Sequence, residues 1–165
     1  MLFILFHLGT DRYALPARDV VEVLPLLACK AILGAPPGVA GLIDYRGTAV
    51  PVVDLTALTL GRPSARRVST RLLMVRYPHP RGGERLLAVV AERATEMLSK
   101  EPADFLTTGV ASDTARFLGP VVRDARGLVQ RVDVHALLTD ALRAALYPEI
   151  SDAPPPAGAA VRLAS

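Results

Sequence analysis

Three histidines, one cysteine and a few placed carboxylates and arginines are the residues of this 165-residue chain that could do chemistry. His7, His79 and His135 stand far apart, and none has a second His or Cys at the spacing of a metal-binding motif. Each reads more simply as a surface or half-buried residue. Cys29 has no activating neighbour in sequence and reads as a small apolar side chain rather than a nucleophile. There is no Gly-x-Ser-x-Gly elbow and no phosphate-binding loop, and Arg81-Gly82-Gly83 falls in a hairpin turn with no helix behind it. Asp44 and Asp54 are carboxylates that acid–base chemistry could recruit. Asp44 precedes a turn and Asp54 caps a helix, and these structural roles explain both. No catalytic, cofactor-binding or metal-binding residue is expected, and the chain reads as a non-enzyme.

Two residues are not explained by folding alone. Arg46 stands in a tight turn between Tyr45 and Gly47, where a rigid backbone displays a side chain suited to several directed contacts. Glu22 lies among valines on a short strand. Strict alternation turns Val21 and Val23 inward and Val20, Glu22 and Leu24 outward, a small apolar patch around a charge. The competing reading has this strand covered by the rest of the fold, with Glu22 at its rim. Arg62, Arg66, Arg67, Arg71 and Arg76 form a loose basic cluster. A solvated face explains it first, an acidic partner second and nucleic acid third.

The elements that must position these residues are short and aliphatic. Hydrophobic residues make up 51% of the chain and aromatic ones 5%, with no Trp, so the core is built from Val, Leu, Ile and Ala. The few aromatics and a net charge of only +3 argue against a single-strand nucleic-acid module. A lone cysteine fits a reducing compartment. No apolar run reaches the roughly 20 residues that span a bilayer, and the apolar start lacks a signal peptide's basic region and cleavage site. The expected location is cytoplasmic.

Strands are expected at Leu2 to Leu8, Arg12 to Pro16, Val20 to Leu24, Gly41 to Tyr45, Ala49 to Val53, Thr70 to Tyr77, Arg85 to Ala91, Thr95 to Leu98, Arg116 to Arg123 and Leu128 to Val132. Pro51 marks its strand as an edge or a bulge. Asp54 caps a helix from Leu55 to Leu60 that Gly61 ends. Asp133 caps a second helix, with Leu138, Leu142, Ala145 and Leu146 on one face and Pro148 after it. A loop with one helical turn is expected from Ser99 to Ala115. The stretch 148–165, rich in Pro and Ala, reads as a disordered tail.

The two halves echo each other. Ala14 to Leu24 aligns with Ala88 to Leu98 without a gap, and Glu22 falls on Glu96. Gly41 to Leu58 parallels Gly119 to Leu137, each with an Arg-Gly turn (Arg46-Gly47, Arg126-Gly127) and an Asp cap (Asp54, Asp133). A unit used twice implies two small barrels packed together, since each alone is marginal in size.

At this point the residues resemble a known family. Val20-Val21-Glu22-Val23, the run from Ala35 through Val39 and Gly41 to Arg46-Gly47, and Val50-Pro51-Val52-Val53-Asp54-Leu55 are similar to the signature of CheW-like chemosensory coupling proteins. The resemblance implies a mainly β fold of two SH3-like five-stranded β-barrel subdomains, with short helices and a C-terminal helix. It implies one domain over 1–147, with subdomains at about 12–69 and 70–135 that share the first strand and last helix. It also implies a scaffold joining the cytoplasmic tip of a methyl-accepting receptor to the regulatory domain of a CheA-like histidine kinase, with other CheW-like proteins as further partners. Receptor or kinase contacts would fall on Val20, Glu22, Val39, Gly41, Arg46 and Gly47. The family's usual Asn before the turn is replaced by Asp44, a carboxylate able to pair with Arg46 or to alter partner choice. Val23-Leu24-Pro25-Leu26, Leu58 to Pro63 and Ser69-Thr70-Arg71 resemble coupling proteins of Wsp-type surface-sensing systems, which control a diguanylate cyclase.

Overall fold

The computed structural model describes residues 1–79, 82–109 and 116–148. All but Pro148 of the tail expected over 148–165, and part of the Ser99 to Ala115 loop, lie outside these described residues. The strands are β1 (Leu2–Leu8), β2 (Asp11–Pro16), β3 (Val20–Pro25), β4 (Val39–Tyr45), β5 (Thr48–Asp54), β6 (Arg71–Pro78), β7 (Glu84–Ser99), β8 (Leu118–Asp124) and β9 (Gly127–Val132). Helix α1 spans Leu55–Leu60 and α2 spans Asp140–Leu146.

Pairing sorts the strands into two five-membered groups with the same internal order. One runs β4-β5-β7-β6-β3 and uses the first half of β7. The other runs β8-β9-β2-β1-β7 and uses the second half. Each group has one parallel contact at the same place in that order, β5 with β7 and β9 with β2. These are the two SH3-like subdomains. They interleave along the chain: β3 leaves the β1–β2 hairpin to pair with β6, and β7 leaves β6 to pair with β1. Pairing therefore runs across position 69/70 rather than stopping there.

Two expected strands, Arg85 to Ala91 and Thr95 to Leu98, are one 16-residue strand. Between them Arg93 takes φ 51° and the register against β1 shifts between Leu5 and His7. This irregularity lets one strand serve both subdomains.

The interleaving makes three cores. Ile43, Val50, Val52, Leu72, Met74, Ala88 and Val90 fill one subdomain. Phe3, Leu5, Ala14, Phe105, Val122 and Val129 fill the other. Ile4, Phe6, Leu8, Leu73, Val75 and Tyr77 belong to a third cluster, which α1 and α2 also enter through Leu55 and Leu142. Strands β1 and β6 thus bury both faces, which explains the apolar runs Leu2 to Phe6 and Leu72 to Val75 within them. Pro51 pairs with β4, and β5 meets β7 only from Val52, so its missing N–H falls where one edge is open.

Asp54 caps α1 by accepting from the Thr56 and Ala57 amides, and Gly61 ends it at φ 72°. The C-terminal helix differs from expectation. Asp133 holds only a single 3-10 turn, Val134–Ala136, and Thr139 then caps α2 by accepting from the Leu142 amide. Two local caps thus divide what periodicity read as one helix. Leu137, Leu138 and Leu142 are buried, whereas Ala145 is exposed.

Candidate functional site: a glutamate–arginine pair on the β3 edge

Strand β3 hydrogen-bonds β6 and carries a register shift between Val20 and Glu22. Burial alternates strictly along the strand, but in the opposite phase to the expected one. Val20 packs half-buried against the central cluster and Leu24 against the subdomain core. Val21 and Val23 are the exposed residues, at 40% and 45%. The small apolar patch exists, but it consists of the two valines that strict alternation turned inward.

The β4–β5 hairpin delivers the other half of the site. Tyr45 pairs with Thr48, so Arg46 and Gly47 form the two-residue turn, at φ 51° and 84°. Positive φ at both central positions suits the right-handed twist of a hairpin. Arg46 adopts it at a cost of order 1 kcal/mol that glycine would escape. The Asp44 carboxylate accepts from the Gly47 amide at 2.8 Å and steadies the turn. Asp44 thus holds backbone, and it is Glu22 that pairs with Arg46, at 3.3 Å. Asp44 and Asp54 sit at opposite ends of the hairpin: Asp44 is opposite Ala49, and Asp54 follows the Val39–Val53 pair.

Glu22 is the centre of a three-residue assembly. It accepts a hydrogen bond from the Tyr45 hydroxyl as well as from Arg46. The Arg46 guanidinium also lies over the Tyr45 ring, 5.1 Å from its centroid. Donation to Glu22 holds the Tyr45 hydroxyl above its ordinary pKa, because the bond favours the protonated phenol. Arg46 keeps 76% of its side chain exposed and Glu22 34%.

Of the six residues expected to form the site, the structure gathers Glu22, Arg46 and Gly47 at one edge. Val20 and Val39 instead pack half-buried against the central cluster. Gly41 is buried at φ 145°, and a Cβ there would lie 2.2 Å from the Lys30 carbonyl oxygen. That close approach permits reciprocal hydrogen bonds between Lys30 and Leu42, at 2.8 and 2.9 Å. These three residues shape the edge without being displayed on it. Tyr45 was legible as part of the motif but not as a partner of Glu22.

The other subdomain repeats the pair. Arg126 of the β8–β9 turn bonds Glu96 of β7, as the gapless alignment of Glu22 with Glu96 implies. Cys29 is half-buried and packs on a subdomain core, and burial pushes its thiol pKa up. Among the described residues no three His, Cys, Asp or Glu side chains gather as metal ligands.

The CheW-like domain model matches residues 2–142, nearly all of the described chain. The chain belongs to the CheW-like domain family. Its fold is similar to that of the scaffolding protein TtCheW from Thermoanaerobacter tengcongensis, with a TM-score of 0.70 at 19% identity over 81% of this chain and 84% of that one. No curated protein matches the chain. Within this CheW-like fold, the Glu22–Tyr45–Arg46 assembly joins a β3 strand to a hairpin turn that are distant in sequence and adjacent in space. Among the described residues no helix is long and apolar enough to cross a membrane.

Proposed function

We propose that this CheW-like chain is a non-enzymatic cytoplasmic adaptor that couples a methyl-accepting receptor to a CheA-like histidine kinase. The observation that carries the reading is the exposed Glu22–Tyr45–Arg46 assembly flanked by Val21 and Val23. It offers a partner two charges held in fixed geometry beside an apolar strip, the mixture that interface centres use. Nothing in the arrangement polarises a bond or stores a proton for transfer. Glu22, Arg46 and Gly47 make the contacts, and Val20, Val39 and Gly41 set the shape of the edge beneath them. The resemblance of Val23 to Leu26 and Leu58 to Pro63 to Wsp-type coupling proteins supports an output through cyclic-di-GMP rather than flagellar switching.

The test is co-purification with a receptor cytoplasmic fragment and a kinase regulatory domain from the native host. Wild-type chain should retain both. Arg46→Glu, which places two carboxylates together, should lose at least one of them while keeping its melting temperature. Retention of both by a folded Arg46→Glu protein would remove the site assignment. Cellular cyclic-di-GMP that is unchanged on deletion of the chain would remove the Wsp-type output.

A further inference from the structure

Sharing no residue with the Glu22–Tyr45–Arg46 assembly, the β1–β2 turn, the loop after α1 and the irregular point of β7 enclose an open groove of about 400 Å³. Its charged lining is Arg62, Arg67, Arg93 and Glu92, and Thr10 and Ser69 add hydroxyls. Three guanidiniums against one carboxylate leave a net charge of +2 in a small space.

The one carboxylate is already committed. Glu92 accepts from the Arg62 guanidinium at 3.1 Å and from the Ala65 amide at 2.7 Å, tying the basic loop to β7. No ion pair or hydrogen bond among the described residues holds the guanidinium of Arg67 or Arg93. The Arg67 backbone is nonetheless fixed, since its amide donates to the Ala65 carbonyl at 3.1 Å and its carbonyl accepts from the Thr70 amide at 3.0 Å. Arg93 stands in the left-handed region at φ 51°. That conformation suits glycine, and an arginine keeps it at a cost of order 1 kcal/mol. The fold uses the left-handed backbone here to redirect β7, but it does not need an arginine side chain to do so, and that side chain points to a function.

We propose that this groove binds the phosphate groups of a small polyanion. The planar forks of Arg67 and Arg93 match tetrahedral oxyanions, and Arg62 supplies a third positive charge from its bridge to Glu92. The lining contains no large apolar or aromatic side chain. It therefore gives no anchor to an acidic peptide's side chains and no stacking surface to nucleic-acid bases. A compact ligand whose affinity is nearly all electrostatic fits what remains. The site uses Arg62 and Arg67 of the sequence's basic cluster together with Arg93, which the fold brings to them.

The test is calorimetric titration of the full chain with inorganic pyrophosphate at low ionic strength. Arg93→Gly removes one guanidinium and relieves the backbone, so it should melt no lower than wild type while binding pyrophosphate at least about tenfold more weakly. Arg67→Gln should weaken binding by a similar factor. Arg123→Gln, the same charge loss on exposed β8, should bind within about twofold of wild type. Co-sedimentation with phosphatidylglycerol vesicles separates a lipid headgroup from a free phosphate. Pyrophosphate binding without vesicle binding assigns a free ligand, and binding of both assigns a site open to either source. The proposal is overturned if wild type binds no pyrophosphate, if Arg93→Gly binds as wild type, or if Arg123→Gln loses as much as the groove variants.

Discussion

The two hairpin turns that carry an Arg-Gly pair are built on the same plan and held in different ways. In the β4–β5 hairpin the closing pair is Tyr45–Thr48, and Arg46-Gly47 is the loop. In the β8–β9 hairpin the closing pair is Asp124–Gly127, and the loop is Ala125-Arg126. The same dipeptide thus sits one position later in the second turn, yet each arginine reaches the equivalent glutamate, Glu22 or Glu96. Below the second turn Asp124 binds both guanidinium nitrogens of Arg12, one at 2.7 Å, with side chains only 9% and 17% exposed. In the first subdomain's alignment Leu86 occupies the place of Arg12, and Asp44 bonds only the turn's own amide among the described residues. Tyr45, conversely, stands where the second turn has Ala125. One turn is clamped through its backbone to a half-buried ion pair. The other is steadied by a tyrosine against its exposed charges and is flanked by valines. Both arginine–glutamate pairs are exposed, and the turns differ in what holds them: an ion pair beneath one, a tyrosine beside the other.

The sharpest way to break this comparison is at the paired glycines. Gly41→Ala meets the Lys30 carbonyl at 2.2 Å with φ 145° and should cost about 3 kcal/mol or more in urea unfolding. Gly119→Ala, at the equivalent place, meets the Arg131 carbonyl at 3.3 Å without positive φ and should cost less than about 1 kcal/mol. Similar losses at both would show that the two hairpins are not distinguished in this way.

The ion pair comes next. Arg12→Leu leaves the half-buried Asp124 without its bidentate partner and should destabilise by about 2 kcal/mol. Arg46→Ala, at an exposed pair, should cost under about 1 kcal/mol. Acid offers the same contrast without replacing Arg12. The Arg12 hydrogen bonds hold the Asp124 carboxyl at about 2, against an ordinary value of 3.8. A carboxylate depressed on folding stabilises the fold above its unfolded pKa, and that contribution disappears as pH falls through the folded value. Wild type should therefore lose about 2 kcal/mol between about pH 4 and pH 2 that Asp124→Asn does not lose. The smallest effect belongs to Tyr45→Phe. It should leave stability within about 1 kcal/mol and weaken partner binding a few-fold, read by titration against the receptor fragment.

Much of this was legible in the residues. The strand at Leu2 to Leu8, the Asp54 cap, the Gly61 stop and both hairpins follow from local rules, because the interactions that fix them span a few residues. The repeat was legible too, since Ala14 and Ala88 enter equivalent cores. What the sequence did not show on β3 is which face turns inward: burial alternates strictly, but both faces carry apolar residues, and only the cores beneath Val20 and Leu24 decide the phase. The joining of two strands through Arg93 was hidden because an arginine gives no sign of a left-handed backbone. The Glu22–Arg46 pair was legible as two unexplained residues but not as a contact, which only the packing of β3 beside the hairpin supplies.

The central claim, that the tyrosine-steadied turn is the docking surface and the clamped turn is not, is tested most directly by one pair of titrations. Arg46→Glu and Arg126→Glu are titrated separately against the receptor fragment and the kinase regulatory domain, with melting temperatures measured alongside. The account predicts at least a tenfold loss of affinity for Arg46→Glu and a change of less than about threefold for Arg126→Glu, both folded. Equal retention by both variants, or a loss confined to Arg126→Glu, would contradict it.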